Sequence, residues 1–202
     1  MPQAQNQPTG AGRVILLNGA SCSGKTTLAL VLQKVLEEPH LHLCVDHLLG
    51  MLPEHCRDWH DPRNQRAAQR AIAAMPHCVA ALAGAGNHLI VDATLTTLDH
   101  LFEYAYLLSH LNVTFVGVHC EMEELQKRAE KRGERSVEVA LTQARQVHAH
   151  GLYDEQVDTT RALPMKLAEH IKTHLAGHPN PTALRRLRSE RLALKDDAPA
   201  DQ

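Results

Sequence analysis

The stretch Val14-Ile15-Leu16-Leu17-Asn18-Gly19-Ala20-Ser21-Cys22-Ser23-Gly24-Lys25-Thr26-Thr27 decides the fold. VILLN (14–18) is a short apolar run, the pattern of a strand buried on both faces of a parallel sheet. Gly19 to Thr26 then fit G-x-x-x-x-G-K-[ST] at every fixed position. The spacing has a physical cause. Glycines let successive backbone N–H groups turn inward around a phosphate without a Cβ in the way. The helix that follows aims its positive end at the same point. Lys25 reaches the β- and γ-phosphates of a nucleotide, and the Thr26 hydroxyl sits where Mg²⁺ takes an oxygen ligand. Gly19, Ala20, Ser21, Cys22, Ser23, Gly24, Lys25, Thr26 and Thr27 are therefore expected to hold ATP, with Mg²⁺ on Thr26. Cys22 fills a variable position of the loop, where a thiol would make nucleotide binding sensitive to oxidation.

Outward from this loop, strands alternate with helices. Leu28, Val31, Leu32 and Val35 recur at helical spacing over 25–36. LHLCVD (41–46), HLIVD (88–92), VTFVGV (113–118) and QVDT (156–159) read as further strands. Asp61-Pro62 starts an Ala-rich helix, kinked before Pro76 and ended by Gly84 and Gly86. Further helices are predicted over 98–109, 122–132, 137–148 and 164–175. The pattern predicts an α/β chain of P-loop kinase type: three layers, with a five-stranded parallel sheet covered by helices on both faces. Residues 1–12, rich in Gln, Pro and Gly, predict a disordered tail. The kinase-type domain is expected over 13–176. After Gly177 a Pro-containing breaker leads into RRLRSERLALK, read as a basic helical appendage over 177–202 whose end is disordered.

Composition narrows the class. The chain has 202 residues, 44% hydrophobic and 22% charged, which fits one globular domain with short tails. Aromatics are only 3%, so the core is built from aliphatic side chains. A formal net charge of -2 argues against a general nucleic-acid or membrane-surface binder. Five cysteines without a CxxC pair speak against a disulfide framework or zinc knuckle and for a reducing, cytoplasmic setting. The polar opening Met1–Gly12 is no signal segment, and no apolar run reaches the roughly 20 residues that span a bilayer.

Ligands of a parallel sheet gather at the carboxyl ends of its strands. Asp46 ends the second predicted strand and Asp92 the third. Asp46 is assigned as the general base that takes the acceptor's hydroxyl proton. Asp92 is assigned to Mg²⁺ or to orienting the acceptor, and the two roles can be exchanged. Asp often caps the helix that follows it, the plain alternative for both. In LQKRAEKRGER, Arg128 and Arg132 share one helix face, and Arg135 follows the hinge at Gly133. Arg132 and Arg135 are read as guanidinium donors to the transferring phosphoryl group, and Arg128 as a nucleotide contact. The same Glu/Lys/Arg alternation also describes a solvated helix.

With those positions in hand, the series VILLNGASCSGKT, CVDHL, LIVDA, FVGVHC, RGER and QVHAHGLYDEQVDTT resembles the chloramphenicol phosphotransferase family, P-loop kinases of antibiotic-producing bacteria and their relatives. The likeness runs from about Arg13 to Ala176. It implies ATP, Mg²⁺, phosphorylation of a primary hydroxyl on a small antibiotic-like molecule, and antibiotic resistance as a setting. The family's catalytic Asp falls on Asp46, its lid arginines near Arg132 and Arg135. His148, Tyr153 and Asp154 match positions near its active cleft. The acceptor stretch between Asp46 and Asp92 departs from the family pattern, and Ala93 stands where the family often has a second acid. Trp59, the single Trp, either lines the acceptor pocket or packs in the core.

Two other readings stay open: a kinase of nucleotides or nucleic-acid ends, supported only by the basic tail, and an ATP-binding regulatory protein without transfer chemistry. His170 and His174 stand four apart on a helix without an evident third metal ligand. A homo-oligomer is compatible with everything above.

Overall fold

The computed structural model describes residues 10–58, 61–132 and 137–196. Five parallel strands form one sheet in the order β2-β3-β1-β4-β5. They are β1 (Val14–Asn18), β2 (His40–Cys44), β3 (His88–Ala93), β4 (Val113–His119) and β5 (Glu155–Asp158). β1 is central, with Leu17 beside Asp92 of β3 and beside Val116 of β4. All five of its residues are buried, as an unbroken apolar run between two helical layers requires.

Side chains alternate across a strand, so β1 feeds two cores. Val14 and Leu16 face Met75, Val79, Leu101, Leu108 and Phe115, under α3 (Pro62–Gly84) and α4 (Leu98–Leu108). Ile15 and Leu17 face Leu28, Leu32, Ile171 and Leu175, under α1 (Lys25–Val35) and α7 (Pro164–Gly177). A third, smaller cluster joins Ala20 of the phosphate loop to Leu125 and Ala129 of α5 (Met122–Arg132) and Ala140 of α6 (Val137–Gln146). The expected three-layer P-loop kinase fold is present. Among the described residues, no helix is long and apolar enough to cross a membrane.

Several local expectations change. The second strand stops at Cys44, and Val45–Gly50 forms a short helix, α2. Asp46 therefore sits in a helix's first turn rather than at a strand's end. The turn lets Leu48 fold back against the core beneath α3. α3 starts as predicted, Asp61 Oδ1 accepting the Arg63 N–H at 2.8 Å, and it runs unbroken through the buried Pro76. The basic segment expected as an appendage carries α8 (Ala183–Asp196), and this helix packs on the molecule. Ala183, Leu184 and Leu187 are buried beside Leu108 and Phe115. Arg188 lies over the Tyr106 ring at 5.2 Å and Arg191 over Phe102 at 4.9 Å. Trp59, Gly133 and Arg135 lie outside the described residues.

Asp154 ties this helix down. Its Oδ1 accepts N–H groups from Thr182 at 2.7 Å and Ala183 at 2.9 Å, and its Oδ2 accepts the Phe115 N–H at 2.9 Å. The residue, immediately before β5, thus caps α8 and ties it to β4, and it is not in the cavity lining. Asp154→Ala is expected to cost about 2–3 kcal/mol, from a lost cap and an orphaned strand N–H. Urea denaturation at unchanged slope measures it.

Candidate active site

The phosphate loop joins β1 to α1. Gly24 takes the left-handed conformation at φ 91°, and so does Cys22 at φ 63°. Gly19 is constrained differently: a Cβ there would lie 2.5 Å from the Val118 carbonyl oxygen. The loop closes on itself through Ser23 N–H to Ala20 C=O at 3.2 Å. Lys25 is buried to 6% exposure, its Nζ donating to Ala20 O at 2.7 Å and lying 3.8 Å from Asp92 Oδ1. Thr26 Oγ1 donates to Asp92 Oδ2 at 2.6 Å. Two hard oxygen donors, one anionic, thus stand side by side at the helix start, a donor set suited to Mg²⁺. Ser23 Oγ is buried without a hydrogen-bond partner. These residues fit the terminal phosphates of a nucleotide with a divalent cation.

A cavity of about 560 Å³ opens over this loop. Ser21, Cys22, Gly24, Lys25, Thr26 and Thr27 line its floor, and Asp92 its edge. Gly19, Ala20 and Ser23 shape the loop from behind and are not in the lining. Asp46, Cys44 and Val45 form one wall with Ile72, Thr94, Thr96 and His100. Arg128 and Arg132 of α5, Gln143 of α6, and Ala162, Pro164 and Leu167 also line the cavity. Asp46, Asp92, Lys25 and Arg132 therefore border one space despite their separation in sequence. Arg128 also has a structural tie. Its guanidinium donates to Thr159 O at 2.8 Å and Thr159 Oγ1 at 3.2 Å, and its Nε to Glu124 at 2.9 Å. Thr159 Oγ1 in turn donates to Ser23 O at 2.6 Å. α5, the end of β5 and the phosphate loop are thereby laced together.

This geometry can be compared with known proteins. The sequence profile described as Chloramphenicol phosphotransferase-like protein matches residues 12–176, most of the chain. The chain belongs to that family. A protein of Mycobacterium tuberculosis strain H37Rv, whose name proposes an O-phosphotransferase, is 28% identical over 203 residues, 90% of each chain. Among solved structures, APS kinase from Mycobacterium tuberculosis, in complex with AMPPNP and APS, superposes with a TM-score of 0.64 at 14% identity. That match covers 83% of this chain and 99% of the kinase. Shikimate kinase from Acinetobacter baumannii, in complex with shikimate, gives 0.59 at 15% identity, over 82% and 94%. At such identities the superpositions establish the fold. With the family match, they make this member of the chloramphenicol phosphotransferase-like family a phosphotransferase built on the P-loop kinase fold.

In this family member, the residues that join the site's parts were only partly legible. Asn18 is fully buried at the end of an apolar run, the one signal that it holds something. Its Oδ1 accepts the Leu95 N–H at 2.8 Å, and its Nδ2 donates to Tyr153 OH at 2.9 Å and Val147 O at 3.1 Å. It links the loop after β3 to the segment after α6. Tyr153 and His148, expected near the cleft, belong to this support: their Oη and Nδ1 are 2.7 Å apart. His170 and His174 both pair with Glu155, at 3.2 and 2.8 Å. Among the described residues no group of three or more His, Cys, Asp or Glu could hold a metal. Nothing in the sequence pointed to Gln143, whose Oε1 accepts the Ser21 N–H at 2.9 Å.

The support carries a pH signature. His148 is pushed down to about 4, chiefly by burial and then by the His119 ring, stacked on it at 3.8 Å. The unfolded chain binds this proton first, near the ordinary 6.5. The neutral ring's contribution to stability is thus complete above pH 6.5 and is lost as pH falls towards about 4. His40, His42 and His150, each lowered mainly by burial, slope the same way. Denaturation midpoints should fall across this window, with a shallower fall in His148→Gln.

Proposed function

We propose that the enzyme transfers the γ-phosphoryl group of ATP to a hydroxyl of a small molecule, a chloramphenicol-like antibiotic or related alcohol, in the cytoplasm. One observation carries this reading. The phosphate loop, the Thr26–Asp92 oxygen pair and the Asp46 carboxylate border a single cavity, large enough for a nucleotide's phosphates and an acceptor together.

Phosphoryl transfer asks little covalent chemistry of the protein and much positioning. The loop amides that are not already bonded within the protein, together with the start of α1, hold the phosphates, and Lys25 donates to the β- and γ-oxygens. Thr26 and Asp92 would hold Mg²⁺, which would supply positive charge to offset the negative charge that develops. Asp46 accepts the acceptor's hydroxyl proton as the oxygen attacks phosphorus. ADP leaves, and the proton stays on the carboxylate until solvent takes it. Arg132, which borders the cavity, stabilises charge on the phosphoryl oxygens, and Arg135, outside the described residues, is assigned the same role. Cys44, Val45, Ile72, Thr94, Thr96 and His100 form the acceptor wall, mixing apolar area with hydroxyl and ring-nitrogen partners.

Two of the four arginines of α8, the feature that argued for nucleic acid, are engaged elsewhere. Arg188 donates to Ser109 Oγ at 3.2 Å besides its ring contact, and Arg191 lies 3.9 Å from Asp99. The test is transfer of labelled γ-phosphate from ATP with Mg²⁺ to chloramphenicol, other hydroxylated antibiotics and oligonucleotides. Phosphorylation of an antibiotic's hydroxyl is expected. Labelling of oligonucleotides alone, weakening steeply with salt, would refute it.

A further inference from the structure

The carboxamide of Gln143 ties α6 to the phosphate loop. Its Oε1 accepts the Ser21 backbone N–H at 2.9 Å, and the side chain lines the cavity. Ala140 and Val147, three residues before it and four after, share its face of the helix and are buried against Ala20. Apolar packing on both sides thus holds Gln143 in place. An amide N–H needs an acceptor, so the bond to Ser21 decides which end of the carboxamide meets the loop. The Nε2 group is the other end, and it has no hydrogen-bond partner among the described residues. A pair of unused donors therefore borders a cavity whose lining sets Lys25, Arg128 and Arg132 beside Asp46 and Asp92.

The loop also has a direction. It begins on the acceptor side, where the Gly19 N–H reaches Ala93 O at 3.4 Å. It ends on the β5 side, where Ser23 O accepts from Thr159 at 2.6 Å. Ser21 lies in the first half, towards the end of a polyphosphate that must meet the acceptor.

We propose that Gln143 is a binding residue for the terminal phosphoryl group: Oε1 holds the Ser21 amide while Nε2 donates to a γ-phosphoryl oxygen, so the enzyme distinguishes nucleoside triphosphate from diphosphate here. The proposal rests on the nucleotide reading above. It separates Gln143 from a mere brace of the loop, because a brace needs only an acceptor.

Gln143→Ala and Gln143→Glu test it, with affinities for magnesium AMPPNP and magnesium ADP measured by calorimetry and folding checked by thermal melts. The Ala variant should lose about 10- to 100-fold in AMPPNP affinity, the worth of one hydrogen bond to a charged group, and keep its ADP affinity. The Glu variant keeps an acceptor for Ser21 but turns a negative oxygen towards the phosphate, so it should bind AMPPNP more weakly than the Ala variant. A Glu variant that binds AMPPNP as the parent enzyme does, or equal losses for both nucleotides, overturns the proposal. A parent enzyme that binds neither nucleotide overturns the nucleotide reading itself, a distinct result.

Discussion

Asp46→Asn is expected to lower turnover by about 10²–10⁴ while the affinity for magnesium nucleotide stays within about twofold, since positioned general bases typically contribute that much to rate. The substitution keeps shape and volume. Asp46 lies in the first turn of α2 and borders the cavity that the phosphate loop also lines, and the residues that would hold phosphate are untouched. An effect confined to kcat marks a group that acts on the reacting oxygen. Steady-state kinetics beside nucleotide calorimetry separate the two quantities. Unchanged turnover would remove Asp46 as the base, and a large loss of nucleotide affinity would reassign it to the nucleotide side. Asp92→Asn serves as the contrast. Its carboxylate accepts the Thr26 hydroxyl at 2.6 Å, so its loss should raise the Mg²⁺ concentration needed for half-maximal activity.

Lys25→Met should weaken nucleoside triphosphate binding by about 10²–10⁴, the sum of two charge-assisted hydrogen bonds of about 1.5–3 kcal/mol each. Met keeps the apolar stem of a side chain that is only 6% exposed, so packing is conserved and the ammonium alone is lost. That ammonium lies against Ala20 O at 2.7 Å and near Asp92, ready to exchange a carbonyl for phosphate oxygens. Here both affinity and rate fall, unlike Asp46→Asn. Triphosphate affinity close to the parent's would mean that the loop does not hold the nucleotide through Lys25. Chemical denaturation distinguishes that case from a variant that has lost its fold.

How far the sequence could be read depended on the range of the interactions involved. β1 and the loop after it were legible because both are local: a run of five apolar-flanked residues and a glycine-spaced turn need no partner to be recognised. The start of α3 at Asp61-Pro62 is equally local, a cap and a first-turn proline. The end of β2 was not. VDHL continues the apolar run, and only the return of Leu48 to the core beneath α3 shows that the chain turns helical at Val45. The basic tail misled for a similar reason. Its charge is evident in the text, but Ala183, Leu184 and Leu187 count as core only once α4 and Phe115 are there to receive them.

By itself, the order of residues determined the fold class, the phosphate-binding loop and the pairing of Asp46 and Asp92 as candidate carboxylates, because short-range periodicity and turn chemistry encode such features directly. Tertiary structure alone decided that Asp92 meets the Thr26 hydroxyl, that Asp154 caps a distant helix, and that Gln143 reaches the Ser21 amide. Those contacts join residues 66, 28 and 122 positions apart in chain order, and a hydrogen bond acts only across about 3 Å. Proximity of that kind comes into being when the sheet brings its strands side by side.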